Sequence, residues 1–463
     1  MANYELDHKL EHPNTLKAYF SLIREPVNSG NYKKYREMQD KRIHELMTAA
    51  YEIPFYRERF ERTGTTPDDY HCAEDLYKFP LLTKDELREW MDGEAEADPD
   101  KFKHWHVSPT SGSTGRPLRC LVSPKESAWS TANWLRVMRM AGFDPFRGKT
   151  MSRPKSLHGP VKESDSPIQK LGILRRRYMS DTIKQRVDTQ TLVDEINAYK
   201  PDYLYNHKNL LMRIALYVKE TGVYLWKPSF YTPFGEMLDN PSRQLLTDVF
   251  GPGLVDAYGM GETGSCVTRI PGKKYYQVNS DLFVVNIYDD DLKGPAMKGM
   301  AVITPLYKTE MPLINYTSFD RMDTYFKKGL RFVRGIQGRM NDVIHHRDGS
   351  VTEWGNISGI VNYIPEIVQY RIVQEDYDNL TMMMVRNPDV PAERQDEIVK
   401  DLDAKLVAMF KDPHFHITYE WYDELPSDPN GKLRVIVSKV QPGALGEPEN
   451  AGRDFGSEKI EEA

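Results

Sequence analysis

The stretch SPTSGSTGRP occupies residues 108–117, flanked on both sides by short runs patterned as strands. Gly112 and Gly115 free the backbone to curl, so that successive N–H groups can converge on one anion. Thr110, Ser111, Ser113 and Thr114 add hydroxyl donors, and Arg116 adds a positive charge. Such a loop suits a polyphosphate. It is not a Walker A loop, which requires GxxxxGK[ST], and taken alone it reads equally well as a polar surface turn.

Outward from the loop, residues 103–122 read as strand, Gly-rich turn, strand. Upstream, LLTKDELREW (residues 81–90) offers Thr83 as an N-cap with Glu86 three residues on, a capping box ahead of a helix. Residues 31–52 read as an earlier helix, with Tyr35, Met38, Ile43, Leu46, Met47 and Ala50 on one face and Arg42 as the exception in the stripe. Pro54 should end it. Downstream, strands and helices alternate to about Phe250, which favours an α/β architecture. Residues 256–323 are richer in β-formers, in FVVNIYD, MAVITPL and PLINYTS. GIQGRMNDVIHHRDGSV (residues 335–351) reads as a junction followed by a hairpin turning at RDG. IVQYRIVQED, LTMMMV, the helical ERQDEIVKDLDAKLVAMF and HITYEWYDEL then predict a small β-α-β domain. The expected organisation is α/β: a large multi-sheet N-terminal domain (residues 1–338), a small α+β C-terminal domain (339–441) and a Gly-, Pro- and Glu-rich tail (442–463) expected to be disordered.

Composition excludes several classes. A net charge of −6 argues against nucleic acid as the main partner, since such binders concentrate basic residues. No apolar run is long enough to span a bilayer, and MANYELDHKL has neither the basic nor the apolar region of a secretory signal. Cys72, Cys120 and Cys266 are too sparse for a disulfide framework or a CxxC metal motif. These features fit a cytoplasmic protein.

Three further segments carry candidate chemistry. In DAYGMGETG (residues 256–264), Tyr258 can offer an aromatic face to a purine and Glu262 a hard oxygen to Mg²⁺, although a Gly-rich turn with a solvated glutamate is the plainer reading. In LPSDPNGKLR (425–434), Lys432 follows a Pro-Asn-Gly turn and suits charge developing on a phosphoryl group; a surface lysine is the plainer reading. In NYTSFD (315–320), Asp320 can accept hydrogen bonds from ribose hydroxyls. Arg339 and Asp342 read as an ion pair between domains. The pairs His104/His106 and His414/His416 share a strand face if they lie in strands, and rank low as metal ligands for want of a Cys or carboxylate cluster. The basic residues Arg153, Lys155, Lys162, Lys170 and Arg175 to Arg177 read as a solvated face, or as a site for an acidic substrate or the phosphates of coenzyme A.

The order TSGSTG, YGMGE, D, GR, GK resembles the adenylate-forming superfamily of acyl- and aryl-CoA ligases, luciferases and peptide-synthetase adenylation domains. IPFYRERFERTG, FPLLTKDELRE, INAYKPDYLY and EMPLINYTSFD resemble its phenylacetate–CoA ligase branch, and its CapK-like relatives in particular. The resemblance spans residues 32–440 and is weakest over 148–185. It implies an adenylation domain with a mobile C-terminal lid. It further implies that Thr110, Ser111, Gly112, Ser113, Thr114 and Gly115 hold the β- and γ-phosphates of ATP, and that Gly235 and Glu236 flank adenine. Tyr258, followed by Gly259, would stack on adenine, Glu262 would bind Mg²⁺, Asp320 the ribose, and Arg339 would lie near the nucleotide. Asn341 falls at the hinge, and Lys432 would stabilise the adenylation transition state. His207, in YLYNHKNLL, lies where the family's substrate pocket begins; a core or surface histidine is the plainer reading. Four positions depart from the family pattern: Arg116 for Lys, Gly261 for Ser or Thr, Phe319 for Gly and Asn341 for Asp.

The resemblance implies ATP-dependent activation of a small-molecule carboxylic acid, with an aryl or arylacetic acid as first guess, then transfer to a thiol such as that of coenzyme A. Two alternatives stay open at this point: an amide-forming ligase or adenylyltransferase sharing the adenylate, and a non-catalytic nucleotide-binding homologue. A homodimer is the base-rate expectation.

Overall fold

The computed structural model describes residues 12–24, 32–109, 118–152, 167–180, 188–289, 292–339, 343–361, 364, 366–410, 414–426 and 433–440. The expectations for residues 110–117, Asn341, Asp342, Lys432 and the tail lie outside that set, as does part of the basic run.

The N-terminal helices follow from the local sequence. The helix Tyr32–Tyr51 buries Tyr35, Ile43, Leu46, Met47 and Ala50. Met38 is only partly buried, and Gln39 takes an inward place instead because its amide donates to the carbonyls of Ser280 at 2.8 Å and Phe283 at 3.0 Å. Arg42, the exception in the apolar stripe, reaches the Asp281 carboxylate at 3.6 Å. Both polar residues therefore tie the helix to the turn at 279–282. Pro54 occupies the first turn of the next helix, Pro54–Thr63, which closes on left-handed Gly64 (φ 65°). The capping box holds: Thr83 Oγ1 accepts the Glu86 N–H at 3.3 Å, and Glu86 returns an acceptor to the Thr83 N–H at 2.8 Å, opening the helix Lys84–Ala97.

Three sheets position the site. His106–Pro109 and Arg119–Val122 pair antiparallel and bracket the Gly-rich stretch. A four-stranded parallel sheet has the order Arg175–Tyr178, Lys149–Ser152, Tyr203–His207, Phe230–Phe234, with the helices Thr189–Tyr199, Lys208–Thr221 and Asn240–Phe250 in its connections and flank. This is the predicted alternation. The β-rich region forms a seven-stranded antiparallel sheet in the order Phe283–Tyr288, Lys298–Pro305, Tyr316–Lys327, Leu330–Arg339, Tyr276–Val278, Gly264–Arg269, Asp256–Met260. PLINYTS contributes strand only from Tyr316 onward, because Asn315 is left-handed (φ 54°) and fully buried, its amide donating to the carbonyls of Leu76 and Phe79 at 2.6 and 2.8 Å.

The C-terminal residues begin with the hairpin Val343–His345/Val351–Glu353, turning at RDG with Gly349 at φ 82°. A four-stranded sheet follows, ordered His416–Tyr422, Asn379–Arg386, Ile367–Gln374, Ile436–Ser438, with the helix Gln395–Phe410 as the crossover between the parallel strands Asn379–Arg386 and His416–Tyr422. The strand Ile436–Ser438 was not legible in the sequence. Of the HxH pairs, only His106 and His416 lie in strands; His104 and His414 fall in turns, so neither pair shares a strand face. Val368, Val385, Leu425 and Leu433 join a buried cluster with Leu211, Met212 and Val249, and Gln369 donates to Asn209 Oδ1 at 2.8 Å, so the C-terminal sheet packs on the parallel-sheet helices.

Candidate functional site

The hairpin formed by Asp256–Met260 and Gly264–Arg269 turns through Gly261, Glu262 and Thr263. Its close approach requires Gly259, where a Cβ would lie 2.3 Å from the Gly264 carbonyl oxygen. The hairpin sits at one edge of the seven-stranded sheet, four strand positions from Tyr316–Lys327. In a flat sheet that separation is about 19 Å. Yet side chains from the two meet, so the sheet curls until its edge hairpin faces the long strand.

Two tyrosine–carboxylate hydrogen bonds cross at this meeting. Tyr258 Oη donates to Asp320 Oδ2 at 2.6 Å, and Tyr316 Oη donates to Glu262 Oε1 at 3.2 Å. Each element supplies one phenol and one carboxylate. Glu262 and Asp320 are both buried. Burial first, and then the Asp320 carboxylate, hold the Tyr258 phenol well above its ordinary value of 10, so it stays a donor. Asp320 also takes its own N–H to Ser318 Oγ at 3.1 Å and pairs in register with Arg339 across the strands. The backbone of Arg339 therefore lies beside Asp320 at the last described position of that strand.

A second group converges on the carboxyl ends of two parallel strands, where open α/β sheets hold their ligands. His207 ends one strand and Phe234 the next; their rings lie 4.5 Å apart, and Tyr205 stacks on Phe234 at 4.1 Å. Gly235 follows at φ 87°, and Glu236 accepts the Asn209 N–H at 3.4 Å. His207 is thus neither a core nor a surface histidine but a half-buried member of an aromatic wall.

The sequence-derived residues thus fall into two described groups, Tyr258, Gly259, Glu262, Asp320 and Arg339 in one, His207, Gly235 and Glu236 in the other. Thr110, Ser111, Gly112, Ser113, Thr114, Gly115, Asn341 and Lys432 lie outside the described residues, although both strands that bracket the loop, and Leu433 after Lys432, are placed. The donor set suits the implied groups: a buried carboxylate oxygen at Glu262 fits a hard cation such as Mg²⁺. Sequence reasoning missed Tyr316, whose hydroxyl fixes Glu262. It also missed Tyr307, whose hydroxyl donates to the Thr263 carbonyl at 2.9 Å, and the buried pair Lys308 and Glu126. Only Glu126 carried a signal, as the fourth residue of the capping box Ser123–Glu126.

The family described as the CapK C-terminal domain matches residues 343–439. The chain is 23% identical to a phenylacetate–coenzyme A ligase of Aromatoleum evansii over 405 residues, covering 82% of this chain and 88% of that one. It is 24% identical to the phenylacetate–coenzyme A ligase of Pseudomonas putida over 339 residues, 69% of this chain and 74% of that one. In fold it is similar to 2-hydroxyisobutyryl-CoA ligase in the postadenylation state, with a TM-score of 0.65 at 16% identity, covering 89% of this chain and 93% of that one. The same ligase in its thioesterification state superposes with a TM-score of 0.52 at 17% identity.

Proposed function

We propose that this chain, which belongs to the adenylate-forming superfamily on its phenylacetate–CoA ligase and CapK-like branch, joins an aryl or arylacetic acid to the thiol of coenzyme A through an acyl-adenylate. AMP-forming acid–CoA ligation is the activity of its relatives; the acid and the roles of individual residues are our assignment. The observation that supports it most is the crossed clasp. It holds two carboxylates of different environment on facing elements, as a nucleotide with a metal on its phosphates and a ribose further along requires.

In this reading Asp320 receives the ribose hydroxyls on the oxygen face left by Tyr258, and the Tyr258 ring lies against adenine. Gly235 and Glu236 border the base from the parallel sheet. Glu262 holds Mg²⁺, which would supply positive charge to the departing pyrophosphate. The substrate carboxylate attacks the α-phosphorus, pyrophosphate leaves, and the thiol then attacks the mixed anhydride to release AMP. No side-chain nucleophile is needed, because positioning and electrostatics carry both steps. Lys432 adds the cation of the first step, and we place the hinge for its departure at Asn341, dividing residues 1–338 from 339–441. The wall of His207, Tyr205 and Phe234 supports an aromatic acid, which would stack on it.

Mass spectrometry of products tests this. With ATP, Mg²⁺ and an accepted acid, acyl-AMP accumulates without coenzyme A, and acyl-CoA plus AMP form with it. An unchanged adenylate in the presence of coenzyme A, or an amide on addition of an amine, would replace the thiol as acceptor.

A further inference from the structure

Beneath the clasp lies a second set of charges that the reaction above does not use. Glu126 closes the capping box of the helix Pro124–Ala141, directly after the strand Arg119–Val122 that leaves the Gly-rich stretch. It is fully buried. One of its oxygens accepts the N–H groups of Glu310 at 3.1 Å and Met311 at 2.8 Å, and the other accepts that of Ser123 at 3.3 Å. It therefore ties this helix to the segment between Pro305 and Tyr316.

On that segment stands Lys308, itself buried. Its Nζ lies 3.7 Å from Glu126 Oε2 and makes no hydrogen bond among the described residues. A buried latch looks different: Lys208 reaches Asp239 at 2.6 Å. The Lys308 ammonium stands back from its partner, and its field falls on Glu126, Cys120, Tyr307 and Glu262 together. Burial alone would lower its basicity, but those groups outweigh burial and keep it protonated. Burial meanwhile raises the Glu126 carboxyl, which Lys308 opposes. The neighbouring Tyr307 hydroxyl is bonded to the carbonyl of Thr263, next to Glu262. Residues 307 and 308 thus span from the Glu262 turn to the helix Pro124–Ala141.

We propose that Lys308 is a positioning residue for the metal–nucleotide site: its unlatched ammonium stands beside the buried Glu126 carboxylate, next in the chain to Tyr307 on the Thr263 carbonyl, and holds the Glu262 turn in register with the strands His106–Pro109 and Arg119–Val122. Among the described residues one oxygen of Glu262 takes the 3.2 Å bond from Tyr316, which leaves the other for the cation. This rests on the assignment of Glu262 to the metal. Partners that orient a metal ligand without touching the metal change affinity by about 10- to 100-fold when removed.

The test uses binding as well as turnover. Mn²⁺ in place of Mg²⁺ is titrated by electron paramagnetic resonance in the presence of ATP, on the full chain and on Lys308→Met and Lys308→Met/Glu126→Gln. The double variant removes both charges while the Gln amide oxygen can still accept backbone N–H groups of Glu310 and Met311, and so should keep the fold. Expected is Mn²⁺–ATP affinity at least roughly tenfold weaker in both variants, each measured below its own melting midpoint. In ATP–pyrophosphate exchange the KM for ATP rises alike while the KM for the acid stays within about twofold. A folded variant with wild-type Mn²⁺–ATP affinity overturns the positioning role. Unmodified chain that binds no Mn²⁺–ATP overturns the nucleotide-site assignment itself, a result distinct from the first.

Discussion

Replacing Tyr258 with Phe removes one atom and leaves the ring that would face adenine. What is lost is the hydroxyl that donates to Asp320 at 2.6 Å. A hydrogen bond to a charged group contributes about 1.5–3 kcal/mol, and the cost is felt where the acceptor is buried, as Asp320 is. If holding Asp320 in place is a condition of ribose binding, that energy corresponds to roughly 10- to 150-fold in affinity at about 1.36 kcal/mol per factor of ten. Asp320 keeps its backbone bond to Ser318, so the lower end of the range is expected. Acid-dependent ATP–pyrophosphate exchange provides the assay. The KM for ATP should rise about tenfold while the KM for the acid is unchanged, since the aromatic wall at His207 is untouched. A folded Tyr258→Phe protein whose KM for ATP stays within twofold of the parent would show that the clasp is a structural bond outside the nucleotide site.

Lys432→Ala should lower the same exchange by roughly 100-fold or more, because a transition-state cation is lost; near-normal exchange would remove this lysine from the mechanism. Asp239→Asn tests a buried pair: burial alone would raise the Asp239 carboxyl, yet Lys208 and the Ser242 N–H hold it below its ordinary 3.8. Its stabilisation is therefore present above pH 3.8 and lost as the pH falls through the lowered folded value. Asn still caps the helix, so the variant should lose about 3–5 kcal/mol at pH 7, with a smaller difference from the parent below pH 3.8; a pH-independent difference in denaturant midpoint would refute the charge assignment. Burial pushes the Cys72 and Cys120 thiols up to about 11 from 9.0. At pH 8 the native chain should therefore alkylate at Cys72 about 100-fold more slowly than a free thiol, read by mass shift; rapid native labelling would contradict this.

The fold was legible wherever local chemistry and global packing agreed. Thr83 and Glu86 announce a helix start whatever surrounds them, and Pro54 ends one helix and begins the next. The alternation through Phe250 reads as α/β because each strand and its crossover carry their own periodicity. Failures fall where a distant partner overrides the pattern. Gln39 points inward and Met38 does not, because carbonyls some 240 residues away need a donor. PLINYTS looks like continuous strand, but Asn315 is drawn into the left-handed region to serve Leu76 and Phe79. The candidate site divided the same way. Motif order leads us to expect Tyr258, Glu262 and Asp320 to come together, and they do, whereas the curl that makes Tyr316 a partner of Glu262 belongs to the whole sheet. Lys308 had no signal at all: between apolar neighbours and a Thr, its burial is a property of the segment that covers it.

Isotope exchange between pyrophosphate and ATP, run without coenzyme A across a panel of aryl, arylacetic, aliphatic and amino acids, tests the central claim most directly. Exchange should require both Mg²⁺ and an acid, be strongest with an aromatic one, and fall in Tyr258→Phe. Silence with every acid, in protein that still binds ATP, would contradict adenylate formation by this chain.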